Sequence, residues 1–492
     1  MSNRSYLILF SILFAIIFNA CQKDTTFEGT NPAITTSLDT LTFDTVFTTI
    51  GSATRFFKIY NNELEDITVD VRLLNGQGSK FRMNVDGVSG HEVKDVFIKG
   101  NDSIYVFVDV TVDPDQPLSI SPFIFEEMLA ISSNGSEKDI LLEAWGQNAN
   151  YIPGRKRKGI LSLLTCDFQT ETWDDPKPYV IYGVLFIDSC ELILPPGTDI
   201  YVHGGVVRQD TLIYNDGFLV VLENGKITAN GTVSEPVTFQ GSRLEQSFDD
   251  IPGQWVGILF TSGSVGNRME HVNLKNSTVG MRVDSAAQLS LESCSISNTT
   301  SAGLIGVLGT IDATNTLIYE NGQNCALLTY GGNYNFNHCT FASYGNQSSA
   351  VRFDNFRCTD PPFCQEEVFV APLNVNFANC IFAGNESDEI FPIDWTDGTE
   401  PDLFNYNFQN CAVTVEDILE PDQFPNFFDN CENCFNLSFN DTLFLDLQNN
   451  DYSLDTMSIA IDKGFFDGLV LEDILDNSRD NMPDLGCFEF QQ

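Results

Sequence analysis

The chain is 492 residues long and carries 68 acidic against 25 basic residues, a formal charge of −43. A surface of that sign repels phosphate backbones and anionic polysaccharides, which excludes nucleic acid as a partner and admits polyanions only where a cation intervenes. Hydrophobic residues make up 42% and include forty Phe, so wholesale disorder is excluded as well, and the length has room for two or three domains.

The first element is the apolar run LILFSILFAIIF, Leu7 to Phe18, behind a single Arg4. It is too short to cross ~30 Å of hydrocarbon as a helix. With Ala20 just before Cys21, residues 1–20 read as a secretory signal peptide. The segment NACQKD resembles the lipobox of bacterial lipoproteins, although Phe18 and Asn19 depart from its usual pattern. The resemblance implies that Cys21 is lipidated and tethers the mature chain to a membrane. A cleaved signal beside a chance cysteine is the alternative. Gln22-Lys23-Asp24 resembles the export tag of surface lipoproteins of Bacteroidota, which implies an outer-membrane anchor facing the exterior, with the periplasmic face as the other option. The remainder of 21–37 is polar and breaker-rich, and reads as a tether.

Residues 38–148 alternate with period two. SIYVFVDVTV places Ile104, Val106, Val108, Val110 and Val112 on one face, and ITVDVRLL does the same with Ile67, Val69, Val71 and Leu73. Such runs, separated by NNELED, NGQGS and DPDQP, predict an antiparallel β-sandwich. The order IGSATRFFKIYNN, GSKFRMNV, LAISSNGSEKDILLEAWG resembles immunoglobulin-like domains of the abnormal-spindle/hydin type, which space or bind. No cysteine lies between Cys21 and Cys166, so an inter-sheet disulfide is excluded. Residues 149–174 read as a junction whose GRKRKG, Arg155 to Lys158, is a salt-linked hinge or a contact for anionic lipid.

Beyond the junction the period changes. Six segments align on Val272, Cys294, Thr316, Cys339, Cys380 and Cys411. Three places before each anchor stand Met269, Leu291, Ala313, Phe336, Phe377 and Phe408; two places after stand Leu274, Ile296, Ile318, Phe341, Phe382 and Val413. Five places before, from the second segment on, stand Leu289, Ile311, Tyr334, Val375 and Tyr406, with mostly Ser, Asn, Thr, Asp or Glu between. VGMRVD, AGLIGV, CALLTY and SAVRFD form a second column. A repeat near 22 residues made of short strands, none able to bury its own face, predicts a solenoid. With its opening KPYVIYGVLFIDSCELILPPGTDIYVHGG and its end YSLDTMSIAIDKG and DNSRDNMPDLGCFEF, the stretch 175–492 resembles the right-handed parallel β-helix of the pectate-lyase-like superfamily. The fold class is therefore all-β: a sandwich followed by a β-helix solenoid.

In that arrangement the anchor cysteines fill an inward column as buried free thiols, poorly aimed at one another for bonding. The place before each anchor holds His271, Ser293, Asn315, His338, Asn379 and Asn410. The superfamily stacks asparagines at a tight left-handed bend there, which implies a structural role for both histidines. Cys358 and Cys364, in CTDPPFC, are expected to form a loop disulfide, and Cys431 and Cys434, in CENC, a local one.

No HExxH, GxSxG or metal-spaced His pair occurs among four histidines. Polygalacturonase-like β-helices carry Gly-His-Gly and Arg-Ile-Lys motifs that are missing here. From Cys358 onward 28 acids face only Lys463 and Arg479, which disfavours a polyuronate substrate unless calcium intervenes. Paired carboxylates for neutral glycans are Asp249/Asp250, near Trp255, and Asp394/Asp397, around Trp395; the tryptophans could stack on sugar rings. Turn formation is the plainer role for those acids. The stretch DWTDGTEPD could also hold Ca²⁺ through oxygens, and no other cofactor is implied. Triplets such as DTL and DSI resemble the O-glycosylation signal of Bacteroidota. Together these features predict a lipid-anchored envelope protein whose β-helix binds a glycan or a partner protein without turnover; a polysaccharide-degrading enzyme is the alternative.

Overall fold

The computed structural model describes residues 27–491 apart from 28, 48–51, 53, 112–122, 153–159, 210–211, 245–247, 422 and 439–440. Cys21, the export tag and the basic run 155–158 therefore lie outside the described residues. The chain divides into two compact units, Met1–Asn148 and Ala149–Gln492.

The first unit is a β-sandwich of two five-stranded sheets. One runs 34–36, 55–61, 103–110, 81–85, 88–90, and the other 40–47, 136–147, 123–133, 67–73, 92–98. The period-two alternation has its expected consequence. Ile67, Val69, Val71 and Leu73, and opposite them Ile104, Val106, Val108 and Val110, are buried in one core with Phe43, Phe57 and Phe81. One pairing departs from antiparallel: strand Thr40–Phe47 runs parallel to Ser136–Gln147. With no disulfide across the core, burial of this apolar area at ~25 cal/mol per Å² is the main force holding the sheets together.

The second unit is a parallel β-helix. On each turn the chain contributes a strand to sheet one, then sheet two, then sheet three, which hold eleven, nine and ten strands among the described residues. It starts earlier than the repeat indicates. Strands Asn150–Ile152, Leu161–Leu164 and Gln169–Thr172 pair in parallel with the next turn, so the stretch read as a junction is the first rung. From there the register follows the aligned columns. Leu274 pairs with Ile296, Ile296 with Ile318, Ile318 with Phe341 and Phe341 with Phe382 on sheet one. Met269, Leu291, Ala313, Phe336, Phe377 and Phe408 pair in the same order on sheet three. Inside the coil, Phe336, Phe377 and Phe408 stack at 5.1 and 4.8 Å, and Phe341 stacks on Phe382 at 5.0 Å. The two stacks meet edge to face, the geometry aromatic quadrupoles prefer.

The turn from sheet three to sheet one is a single residue in the left-handed region: His271, Ser293, Asn315, His338, Asn379 and Asn410 all have φ between 45° and 52°. The next residue is the anchor. The thiols of Cys294, Cys339, Cys380 and Cys411 are free and buried. Each donates to the carbonyl two residues before it and to one in the preceding rung; Cys380 Sγ, for instance, lies 3.1 Å from Ala378 O and 3.6 Å from Phe336 O. Thr316 Oγ1 makes the same first bond to Thr314 O at 3.1 Å. The position selects a small side chain, Val272, Thr316 or a cysteine, and each thiol reaches a bend carbonyl. Burial pushes Cys294 up to about 12 and raises Cys380 well above the ordinary thiol range, which keeps these two protonated.

Three disulfides occur among the described residues: Cys358–Cys364, Cys431–Cys434 and Cys166–Cys190. The last links adjacent rungs, which the aligned columns do not permit. Cys166 stands just before the left-handed pair Asp167 and Phe168, off any strand, and its side chain is free to reach sideways to Cys190.

After the last rungs the chain turns back along the outside of the coil. Leu443, Phe444, Tyr452, Leu454, Ala460, Ile474, Leu485 and Cys487 cover the outward Leu317, Ala342, Ile381, Ala383 and Ala412 of sheet one. The bend residues anchor this segment. Asn379 Nδ2 donates to Phe465 O and its Oδ1 accepts from Phe465 N, Asn315 Nδ2 donates to Glu472 O, and Asn410 Nδ2 donates to Lys463 O. Buried Arg479 donates to Asn315 Oδ1 and pairs with Glu489 at 3.0 Å.

His338 is buried here and accepts from Asn379 Nδ2 at 2.9 Å. Burial first, and the charge of Arg479 second, hold it well below the ordinary histidine range. The unfolded chain protonates this residue below pH ~6.5 and the folded chain does not, so its contribution erodes as pH falls from there, by up to about 1.4 kcal/mol per unit. His338→Asn, which keeps a left-handed residue with an amide, should fold and lose less stability than the wild type between pH 6.5 and 5, as read by chemical denaturation at each pH.

Candidate functional site

The acids chosen from sequence do not converge. Asp249 and Asp250 are exposed in the loop that enters sheet two at strand Gly257–Phe260. Asn276 holds the backbone carbonyl of Asp249 at 2.8 Å, and Asn298 Nδ2 reaches Asp250 Oδ1 at 3.3 Å. Asp394 and Asp397 lie where the chain leaves sheet two after Ile390–Ile393, five rung steps further on. At ~4.8 Å per rung the two pairs are ~24 Å apart along the axis, so they are two separate candidates and not one site.

Asp394 is committed to its own turn. Its oxygens accept from Asn355 Nδ2, Thr396 N, Thr396 Oγ1 and Gly398 N at 2.8 to 2.9 Å. Burial alone would raise its pKa, but these donors outweigh it and hold the carboxyl below the usual range. A general acid needs the opposite shift. A calcium ion would have to displace those donors, and among the described residues no three His, Cys, Asp or Glu side chains converge to hold a metal.

Trp255 is a correction. It is 2% exposed, sits in the coil's core and donates from Nε1 to Lys275 O at 2.9 Å. It stands directly before a sheet-two strand with its ring inward, and no ligand can stack on it. Trp395 is 43% exposed, with its ring on Phe356 at 4.7 Å.

A polar surface lies on sheet three. The outward positions of sheet three are Asn333, Asn335 and Asn337 on one strand, Asn374 and Asn376 on the next, Asn405 and Asn407 on the next. In-register pairing stacks them into rows, joined by Asn376 Nδ2 to Asn335 Oδ1 and Asn374 Nδ2 to Asn333 Oδ1, both 3.0 Å, and ended by Asn335 Nδ2 to Asp312 at 2.7 Å. The rows line a depression of about 410 Å³. At the corner where these strands begin, hairpin Phe356–Cys358 and Val368–Val370, closed by Cys358–Cys364, carries Arg357 over the rings of Tyr330 and Phe369 at 4.7 and 5.4 Å. At the corner where they end, Asn337 Nδ2 meets Asp467 of the returning segment at 3.2 Å, near exposed Phe465. The signal was present in NYNFN, NVNF and FNYNFQ, where every second residue is an amide.

This floor offers mostly amide donors and acceptors, with the carboxylate of Asp312 at one edge. That suits ligands bearing many hydroxyls.

No protein-family model matches the chain, and no curated protein matches it. Among solved structures it is similar to XylC in complex with xylose, at 10% identity over 92% of this chain and 88% of that chain, with a TM-score of 0.31. It is also similar to the catalytic unit of a thermostable GH87 α-1,3-glucanase from Streptomyces thermodiastaticus strain HF3-3, at 10% identity over 73% and 79% of the two chains, TM-score 0.25. Likenesses this remote carry neither activity nor ligand across.

The two tryptophans should separate cleanly. Trp255→Ala empties a core position and should cost about 3–5 kcal/mol, whereas Trp395→Ala should cost less than about 1 kcal/mol, both measured by equilibrium denaturation.

Proposed function

We propose that this protein is a lipid-anchored cell-envelope protein, facing the exterior of an outer membrane, whose β-helix binds a neutral glycan and does not turn it over. The observation that carries the reading is the set of outward asparagine rows on sheet three; the exposed ring of Trp395, where the chain leaves sheet two, is a second aromatic group offered to a sugar. Amides exchange hydrogen bonds with hydroxyls without demanding charge, and aromatic faces take the apolar side of a sugar ring. The charge of −43 opposes polyanions, and the acids are spent on turns or scattered along the axis. In this reading the sandwich, of immunoglobulin-like type, spaces the β-helix from the membrane, and the lipobox-like NACQKD supports the anchor.

Purified protein should bind at least one neutral polysaccharide in a panel scored for binding and for product release together. Trp395→Ala should weaken that binding about tenfold, or ~1.4 kcal/mol, at unchanged stability, with no reducing ends released by either protein. Product release that is lost in a folded variant of Asp249, Asp250, Asp394 or Asp397 would replace this reading with an enzyme. Cys21→Ser should move the protein from the membrane to the soluble fraction; continued partition with membranes would remove the anchor.

A further inference from the structure

The sandwich carries a surface that spacing alone does not require. On the sheet that contains Arg55–Asn61 and Ser103–Val110, the inward Phe57, Ile59, Val106 and Val108 are buried as a sandwich demands. Outward positions of such a sheet normally go to polar residues. Here Phe56, Tyr105 and Phe107 point outward and are 53%, 41% and 39% exposed. Their centroids lie 5.4, 5.9 and 5.8 Å apart, and the planes of Tyr105 and Phe107 are within 15° of parallel.

Strand register extends this patch into hydrogen-bonding groups. Phe56 pairs with Phe107, Phe107 with Asn84, and Asn84 with Ser89, so one row crosses the sheet as two rings, an amide and a hydroxyl. Beside that row Arg82 pairs with Asp109 at 2.8 Å, and Lys58 Nζ sits 4.6 Å from the centre of the Tyr105 ring. A concavity of about 730 Å³ opens there, and its lining includes Arg82, Asn84, Ser89, His91, Phe107 and Asp109.

We infer that this face is a glycan-binding site of its own, for a neutral or sparsely acidic chain of pyranose sugars. An aromatic row takes the C–H face of a sugar ring, while amide, hydroxyl and guanidinium groups in line with it take the hydroxyls at the ring's edge. Area decides against a protein partner. Three aromatic side chains bury at most ~150–250 Å² each, and these are already about half covered, well short of the ~800 Å² per side of a stable protein interface. Lys58 and Arg82 offset Asp102 and Asp109, which makes this a locally neutral patch on a chain of charge −43. The inference is independent of the β-helix reading.

The test uses the full chain in native gels containing hydroxyethylcellulose, laminarin or galactomannan. Phe56→Thr with Phe107→Thr, which retains strand propensity, should weaken retardation by one of these about tenfold or more. Trp395→Ala should leave that component in place, and Phe107→Tyr should preserve it. In the wild type, the retarding polysaccharide should slow nitration of Tyr105 at least about threefold, a measurement that needs no variant to fold. The inference is overturned if none of the three polysaccharides retards the wild type. It is equally overturned if the folded double variant is retarded normally, if only Trp395→Ala reduces retardation, or if Tyr105 nitrates at the same rate with and without the ligand.

Discussion

A single rung of this coil cannot bury its own inward face, and everything else in the β-helix follows from that constraint. Each inward side chain can leave water only by lying on its counterpart one rung above and one below. Parallel in-register pairing is the sole arrangement that achieves this for every rung at once. A slip of one residue would turn Phe377 outward and Asn376 inward, so the register is strongly specified. The phenylalanine stacks, the thiol column and the left-handed bend are three expressions of one rule: whatever suits a position once must suit it again at each repeat.

The same rule creates a difficulty at the surface, because it repeats outward residues as faithfully as inward ones. On sheet one the repeated outward residues include Leu317, Ala342, Ile381 and Ala412, an apolar strip that water cannot solvate well. The returning C-terminal segment covers it, held by the same bend asparagines that make each turn possible. On the sheet-three strands at 332–337, 373–378 and 404–409 the repeated outward residue is asparagine, which water and ligands can both satisfy. One face is closed and another stays open because of the residue type the repeat carries there.

The insertions obey different physics. Where the repeat lengthens, the extra residues leave the coil at corners and must satisfy their own backbone. Asp394 does this by collecting donors from Thr396 and Gly398, and Asp250 is held by Asn298. Carboxylates placed for turn formation are pulled toward ionisation or left in water, neither of which suits proton transfer. The acids of the second half thus contribute mainly charge and turns, although burial pushes Glu389 up to about 7, and the open face of the late sheet-three strands is made of amides.

Much of this architecture is legible in the residues alone. The columns through Phe336, Phe377 and Phe408, the left-handed bend at Asn315, Asn379 and Asn410, the free thiols and the alternating faces of the sandwich all come from local periodicity, which repeats and so announces itself. Features that occur once did not. The first rung lacks the repeating columns and reads as a junction, and Cys166 reaches Cys190 from an irregular bend. Trp255 looks like an exposed platform until its ring is placed inside the coil. The open asparagine face, and the aromatic row of Phe56, Phe107 and Tyr105, each join residues from several strands, and which strand ends face water depends on where the C-terminal segment lies. By itself the sequence determined the period, the inward columns and the class of fold, because burial is enforced residue by residue along the repeat. Only the tertiary structure decided which outward faces are covered and which side chains meet there, because that depends on contacts between segments up to 164 residues apart, such as Arg479 on Asn315.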